Sequence, residues 1–190
     1  MEMQATRALG VTQQQAWQAL NDPEVLKLCI PGCDKFELTE ANVYNVGVAI
    51  KIGPVSAKFT GKVTLSDIQA PNSYSLNFEA QGGVAGFGKG ESQVSLHPHA
   101  EGCELKYTVH STVGGKLAQL GQRLIDGAAK SLAEDFFKRF DESLQAKYPS
   151  TETESTPVAA TEAAPSSGSV PAWVWLALLV GAGAVWYMVR

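Results

Sequence analysis

The sequence predicts an α+β domain of the helix-grip class, in which a curved antiparallel sheet of about seven strands wraps around a long C-terminal helix and two short helices. Three observations predict it. Apolar residues alternate from about residue 34 to residue 113, a three- and four-residue apolar repeat follows, and two short helical segments come before the alternation. A long helix laid across a curved antiparallel sheet often leaves an apolar cavity beneath it.

One strand and two short helices are expected before the alternating region. Met3–Leu9 alternates as a strand. Thr12 has a side chain favoured at a helix N-cap, so a helix is expected from there to Leu20. Asp22 and Pro23 open a second short helix, because aspartate caps helices and proline is tolerated in their first turn.

Six more strands are expected, with one apolar face and one polar face. The apolar face carries Tyr44, Val46, Val48, Ile50, Ile52, Ala57, Phe59, Gly61, Val63, Leu65, Tyr74, Leu76, Phe78, Ser92, Val94, Leu96, Leu105, Tyr107, Val109, Ser111 and Val113. The polar face carries Asn45, Lys51, Lys58, Lys62, Asn77, Glu79, Lys106 and His110.

The period then becomes helical and predicts one amphipathic helix from just after Gly115 to about Lys147. Its apolar stripe is Leu117, Leu120, Leu124, Ala128, Leu132, Phe136, Phe140 and Leu144, widened by Ile125, Ala129 and Phe137.

The stretch Gly82–Gly90, GGVAGFGKG, comes within one residue of a nucleotide-binding loop. From Gly83 it matches G-x-x-x-x-G-K, but Gly90 stands where that loop needs Ser or Thr to hold magnesium. A phosphate loop must also be followed by a helix, whereas residues 91–96 alternate as a strand. The sequence therefore argues against nucleotide binding and predicts a loop between antiparallel strands.

Four connections rich in glycine and proline gather at one end of the predicted sheet, since alternate turns of an antiparallel meander emerge at the same end. They span residues 29–33, 52–55, 82–90 and 113–117 and carry Ile30, Ile52, Val55, Val84, Phe87 and Leu117. Water-facing turns do not need such side chains, so we expect a flexible apolar mouth here. The alternative is that these residues pack locally onto the core.

The expected cavity is lined by residues of the strands, the mouth and the helix, with Phe87 as a gate on the glycine loop. The predicted ligand-binding residues are Val48, Ile50, Ile52, Phe59, Val63, Phe78, Phe87, Tyr107, Val109, Val113, Leu117, Leu120 and Leu124. Five inward-facing polar side chains could orient a ligand, although a few core tyrosines are common: Tyr44, Tyr74, Ser92, Tyr107 and Ser111.

Neither a metal site nor a catalytic site is predicted. Cys29 and Cys33 have a C-x₃-C spacing, but Cys103 and the histidines at 97 and 99 fall at the opposite end of the sheet. Small buried thiols are therefore expected, and no Ser, His and acid fall together at the mouth. Acidic and basic residues nearly balance over residues 1–148, which argues against a nucleic-acid binder.

The domain is expected to end at residue 148, where the composition changes. Residues 149–171 are rich in Thr, Ser, Glu, Ala and Pro and predict a disordered linker. Residues 172–189 are uncharged, and a helix of this length spans roughly 27 Å, close to the hydrocarbon thickness of a bilayer. Aromatic residues stand at both of its ends, as at membrane interfaces: Trp173, Trp175, Trp186 and Tyr187.

Residues 172–190 are therefore expected to form a single-pass transmembrane anchor. The N-terminal residues MEMQATRALG contain no apolar stretch of the kind found in secretory signals. We expect the domain to stay in the cytoplasm, with Arg190 across the cytoplasmic (inner) membrane.

Five motifs occur in order along the domain: CIPGC at 29–33, IGPVSAKFTGKVTL at 52–65, PNSY at 71–74, GGVAGFGKG at 82–90 and VGGKLAQLGQRLIDGAAK at 113–130. Together they resemble the carbon monoxide dehydrogenase CoxG family over residues 1–147. The resemblance implies the START/Bet v 1-like (SRPBCC) helix-grip superfamily and an apolar ligand cavity. It also implies association with aerobic molybdenum-containing carbon monoxide dehydrogenases, or related molybdenum hydroxylases, at the cytoplasmic membrane, and it does not imply catalysis.

Two compatible functions follow as expectations. In one, a membrane-tethered adaptor docks a soluble dehydrogenase, and the cavity is only a consequence of the fold. In the other, the cavity binds an apolar membrane molecule without a covalent cofactor. A respiratory quinone is the attractive candidate, because a soluble dehydrogenase must pass electrons to a quinone held in the bilayer. A small enzyme of the aromatic-polyketide type is a weaker third option, disfavoured because no acid or base is suitably placed.

Overall fold

The computed structural model describes residues 1–149, which form seven strands and three α-helices in the predicted order. The elements are β1 (Glu2–Leu9), α1 (Gln13–Leu20), α2 (Pro23–Cys29), β2 (Cys33–Glu40), β3 (Val43–Ile52), β4 (Val55–Gln69), β5 (Ser73–Gln81), β6 (Phe87–His99), β7 (Gly102–Gly114) and α3 (Gln122–Lys147). The prediction of an α+β domain with a seven-stranded antiparallel sheet is confirmed.

Local side chains fix the starts of the two short helices. The Thr12 hydroxyl accepts a hydrogen bond from the Gln15 amide, and the Gln15 side chain accepts one from the Thr12 amide, which completes a capping box. The Asp22 carboxylate accepts from the Glu24 amide at the start of α2. The Lys147 ammonium donates to the same carboxylate at 3.0 Å and ties the end of α3 to α2.

The sheet has the strand order β1-β7-β6-β5-β4-β3-β2, and every neighbouring pair is antiparallel. Strands β2 to β7 form a meander, and β1 pairs with β7 at its far edge. Because side chains alternate along each strand, one face points toward α3 and the other carries the polar residues. This arrangement puts the apolar side chains of β3 to β7 beneath the long helix.

Two buried clusters pack at opposite ends of α3. The larger one joins α1, α2 and the second half of α3 to β1, β6 and β7, with Phe140, Leu9 and Leu96 almost fully buried. The smaller one consists of Phe59, Ala85 and Leu117 near the start of the helix. The middle of the helix therefore covers a region that neither cluster fills.

The long helix begins later than predicted. A 3-10 turn over Ala118–Leu120 comes first, and Gly121 follows with φ 86°. This left-handed conformation favours glycine and interrupts an α-helix, so α3 starts at Gln122. Leu117 is buried ahead of the helix, where its amide donates to the carbonyl of Ala85 at 3.0 Å.

The loop predicted over Gly82–Gly90 is longer than the loop in the structure. Only residues 82–86 connect β5 to β6, and they contain a 3-10 turn. Phe87 is the first residue of β6, where it pairs with Gln81 of β5 and Gly114 of β7. The reason is that Gly88 and Gly90 take part in the strand pairing instead of leaving the sheet. The premise that Phe87 sits on a flexible loop is therefore wrong.

The predicted anchor (172–190) and nearly all of the predicted linker (149–171) lie outside the described residues. Within residues 1–149, no helix combines the length and the apolar character needed to cross a membrane.

Candidate ligand-binding site

Two cavities lie between α3 and the inner face of the sheet. The outer chamber, of about 410 Å³, is bounded by β3 to β7, by Leu117 and by Ile125, Ala129 and Leu132 of α3. The inner chamber, of about 340 Å³, is bounded by the same sheet, by α1 and α2 and by Ala133, Phe136 and Phe137 of α3. Both volumes fall in the range of pockets that bind small organic ligands.

The space exists because α3 faces the sheet with small residues at its centre. Ala129 lines the outer chamber and Ala133 the inner one, one helical turn further on. Large side chains at these two positions would fill the gap that alanine leaves, since protein cores otherwise pack without voids.

Val63 and Phe78 separate the two chambers. They are directly paired across β4 and β5, and both residues line both cavities. The chambers therefore adjoin at this pair and run one after the other along α3.

Three glycines make room for phenylalanine rings that line the cavities. A β-carbon at Gly82 would lie 2.3 Å from the Phe59 ring, one at Gly90 2.8 Å from the Phe78 ring, and one at Gly114 2.2 Å from the Phe87 ring. Such distances are impossible for real atoms, so the rings occupy the space that the missing side chains leave. Two of these glycines belong to the GGVAGFGKG stretch, which here serves the packing of the sheet.

The inner chamber is apolar except for four hydroxyl groups. They belong to Tyr44, Tyr74, Ser92 and Tyr107, while every other lining residue is aliphatic or phenylalanine. Burial raises the pKa of all three tyrosines above that of a free phenol, so at neutral pH they stay protonated and can donate hydrogen bonds.

The outer chamber has a different polar character. The Ser111 hydroxyl is buried and has no hydrogen-bond partner among residues 1–149. Val84 is 83% exposed and Phe87 36% exposed at this end, whereas Ile52 and Val55 pack against the smaller buried cluster. The predicted mouth is thus divided: some of its apolar residues pack locally, and others remain open to solvent.

Most residues predicted to line a cavity do line one of these chambers. Those in the outer chamber are Val48, Ile50, Ile52, Phe59, Val63, Phe78, Phe87, Val109, Val113 and Leu117, and those in the inner chamber are Val63, Phe78 and Tyr107. Leu120 and Leu124 lie outside both linings: Leu120 packs against the smaller cluster, and Leu124 is 44% exposed.

Six residues of α3 that line the chambers were not among the predicted ligand-binding residues, although all but Ala133 belong to the predicted apolar stripe. They are Ile125, Ala129, Leu132, Ala133, Phe136 and Phe137. The break at Gly121 shifts the phase of the apolar repeat, so the predicted stripe fails at its start, where Leu124 is exposed. From Ile125 onward the predicted stripe lies on the correct face, and Ala133 is the lining residue that it missed.

The three cysteines are free thiols. Cys29 and Cys103 are buried, and Cys33 is partly buried at the start of β2 with its Sγ donating to the Lys35 carbonyl. Burial raises the pKa of each thiol, which keeps it protonated and unreactive at neutral pH. Within residues 1–149, no group of three His, Cys, Asp or Glu side chains is arranged to hold a metal.

A family comparison fits this geometry. The family model for CoxG, the G subunit of carbon monoxide dehydrogenase, matches residues 7–145, which is most of the chain. The chain belongs to the carbon monoxide dehydrogenase CoxG family. No curated protein matches it at a significant level.

Solved structures share the fold of this CoxG family member. A conserved protein from Geobacillus kaustophilus is 34% identical, with a TM-score of 0.73, over 77% of this chain and 97% of that protein. A protein from Thermus thermophilus is 16% identical, with a TM-score of 0.60, over 78% of this chain and 99% of the other. A protein from Rhizobium leguminosarum is 12% identical, with a TM-score of 0.61, over 77% and 95%. The last two similarities concern the helix-grip fold alone.

Proposed function

We propose that this chain is a membrane-anchored accessory protein without catalytic activity of its own. It recruits an aerobic carbon monoxide dehydrogenase, or a related molybdenum hydroxylase, to the cytoplasmic membrane. It also binds an apolar ligand such as a respiratory quinone, and so couples the dehydrogenase to the electron-transport chain. Family membership supports the partner, and the uncharged stretch 172–189 supports the anchor.

The observation that carries the ligand proposal is the pair of adjoining chambers beneath α3. Most of their lining residues are apolar, although Lys62, Glu79 and Lys89 border the outer chamber. The chambers extend from Ile125 to Phe137 along the helix. Twelve residues of α-helix correspond to roughly 18 Å, enough for a ring with a short isoprenoid tail. Apolar surface is buried favourably in such a cavity, because it leaves water.

Coupling is tested in cells that make the dehydrogenase but lack this chain. We expect their membranes to lose carbon-monoxide-dependent oxygen uptake, while the dehydrogenase still reduces a soluble dye. The full chain should restore uptake, and a chain ending at residue 171 should not, because the domain no longer stays at the membrane. Normal oxygen uptake without this chain would contradict the proposal.

The adaptor function without a ligand gives a different result in the same assay. Ala133→Trp fills the inner chamber, and Lys130→Trp puts the same side chain on the exposed side of α3. If both variants restore oxygen uptake equally, the chain acts as an adaptor alone. If only Lys130→Trp restores it, the cavity is required.

A further inference from the structure

The two chambers differ in the polar groups that they offer to a ligand. Tyr44, Tyr74 and Ser92 line the inner chamber and are only 8%, 7% and 7% exposed. They stand on strands β3, β5 and β6. Three side chains that carry hydroxyl groups therefore line the same otherwise apolar space.

These hydroxyl groups have no hydrogen-bond partner in the described part of the chain. None of the side-chain hydrogen bonds formed among residues 1–149 uses the hydroxyl of Tyr44, Tyr74 or Ser92. Their oxygens are not among the fully buried side-chain atoms without a partner, which in residues 1–149 are Arg7 Nε and the Ser111 hydroxyl, so they remain accessible within the inner chamber. Polar groups inside a protein are generally paired. Three accessible hydroxyls without a protein partner are therefore available to a molecule bound in this chamber.

The lining also restricts the charge of that molecule. Among the described residues, no lysine, arginine, histidine, aspartate or glutamate lines the inner chamber. A carboxylate or phosphate head group would be desolvated there without a counter-charge, which is strongly unfavourable. A neutral head group that accepts hydrogen bonds has no such penalty. Because hydroxyls both donate and accept, they also suit a ring whose carbonyls become hydroxyls on reduction.

We propose that the inner chamber binds a neutral ring bearing carbonyl oxygens, head first, with Tyr44, Tyr74 and Ser92 as its hydrogen-bond partners. The apolar tail then passes Val63 and Phe78 into the outer chamber, toward Phe87. This inference rests on the proposed apolar ligand and adds its head-group chemistry and its orientation. It predicts that carboxylate and phosphate head groups do not enter the inner chamber.

The test measures binding of two matched probes to the full chain by titration calorimetry in one detergent. One probe is a 1,4-naphthoquinone with a short isoprenoid tail, and the other is the same naphthalene without its carbonyl oxygens. The variants Tyr44→Phe, Tyr74→Phe and Ser92→Ala each remove one hydroxyl. Tyr148→Phe is the matched control, because its hydroxyl bonds Gln18 outside the chambers at 3.2 Å.

The naphthoquinone should bind the wild-type chain more tightly than the naphthalene. Each of the three chamber variants should weaken naphthoquinone binding roughly threefold to tenfold, as expected for one hydrogen bond. Naphthalene binding should be unchanged in every variant, and Tyr148→Phe should bind both probes as the wild type does. The carbonyl stretching band of the bound naphthoquinone should also move to lower frequency in the wild-type chain, and less so in the chamber variants.

Thermal unfolding without ligand shows whether a variant is folded. We expect the Tyr44→Phe and Tyr74→Phe chains to unfold at the wild-type temperature or above it, because an unpaired hydroxyl is removed. If either variant fails to fold, the naphthoquinone affinity of Ser92→Ala tests the proposal instead. Equal naphthoquinone affinity in wild type and all variants overturns the head-first orientation but leaves the apolar ligand in place. If the wild-type chain binds neither probe, the proposed ligand function fails as well.

Discussion

At the residue scale, Phe87 shows which part of a site a sequence can predict. Its apolar side chain among glycines indicated a contact with a cavity, and it does line the outer chamber. Its place in β6 and the packing of its ring on Gly114 depend on pairing with the far end of β7, the next strand. No local sequence pattern contains that pairing. The sequence therefore predicted Phe87 as a cavity residue but did not predict its position in β6 or its packing on Gly114.

Phe87→Ala is expected to change ligand exchange more than stability. The side chain is 36% exposed, so its truncation should lower the free energy of unfolding by less than about 2 kcal/mol. Phe140→Ala is the control, because loss of that fully buried ring should cost about 3–5 kcal/mol. Chemical denaturation and stopped-flow release of a bound naphthoquinone measure the two effects. If Phe87→Ala lowers the free energy of unfolding as much as Phe140→Ala does and leaves naphthoquinone release unchanged, Phe87 is a core residue and not part of the mouth.

The Asp22–Lys147 pair gives a pH-dependent prediction. The hydrogen bond from Lys147 lowers the pKa of Asp22, so the pair stabilises the folded state above the usual carboxylate pKa. That contribution is lost as the pH falls through the lowered value. Asp22→Asn keeps a capping side chain on α2 but removes the charge, and should cost about 0.2–1 kcal/mol at pH 7.

The measurement is the free energy of unfolding of wild type and Asp22→Asn between about pH 7 and pH 2, a range that spans the carboxylate titration. The difference should vanish at the acidic end. Lys147→Met should show the same pH dependence, and the double variant should lose no more than either single one. A difference that persists unchanged in acid would show that the ion pair is not its cause.

At the element scale, the strands and the later part of α3 were predictable, and the start of α3 was not. Alternation assigned the inward faces of β3 to β7 correctly, because a pleated strand has a fixed period of two. The helix depends on where it starts, and the positive φ of Gly121 resets its phase. Glycine is compatible with both a helical and a broken backbone, so the sequence alone left that choice open.

The pairing of glycines with phenylalanine rings predicts opposite effects for two glycines of β6. A β-carbon at Gly90 would lie 2.2 Å from the His110 carbonyl oxygen and 2.8 Å from the Phe78 ring, so Gly90→Ala should destabilise the domain by about 1–3 kcal/mol. A β-carbon at Gly88 would meet no atom within 4 Å. Gly88→Ala should be neutral or slightly stabilising, because alanine restricts the unfolded chain.

Thermal and chemical unfolding of these two variants give the comparison directly. Ligand binding should weaken in Gly90→Ala, where the Phe78 ring that separates the chambers is displaced. Equal stability of the two variants would mean that the sheet relaxes around the added methyl group. The proposed role of glycine in shaping the chambers would then be wrong.

At the scale of the whole molecule, a domain with an interior cavity precedes a tail predicted to enter the membrane. The family and the fold were predictable because five motifs and the strand pattern are both local properties of the sequence. The division into two chambers was not, since it depends on Ala129, Ala133 and the Val63–Phe78 pair meeting across distant elements. The tail remains a prediction from its composition.

The central claim is that the chambers hold an apolar ligand in the cell. The most direct measurement is mass spectrometry of organic extracts from the natively purified full chain, with Ala133→Trp and Lys130→Trp purified in parallel. We predict a quinone in near-stoichiometric amount with the wild type and Lys130→Trp, and little of it with Ala133→Trp, whose side chain fills the inner chamber. An extract without any stoichiometric apolar molecule, or the same amount from all three proteins, would contradict this claim.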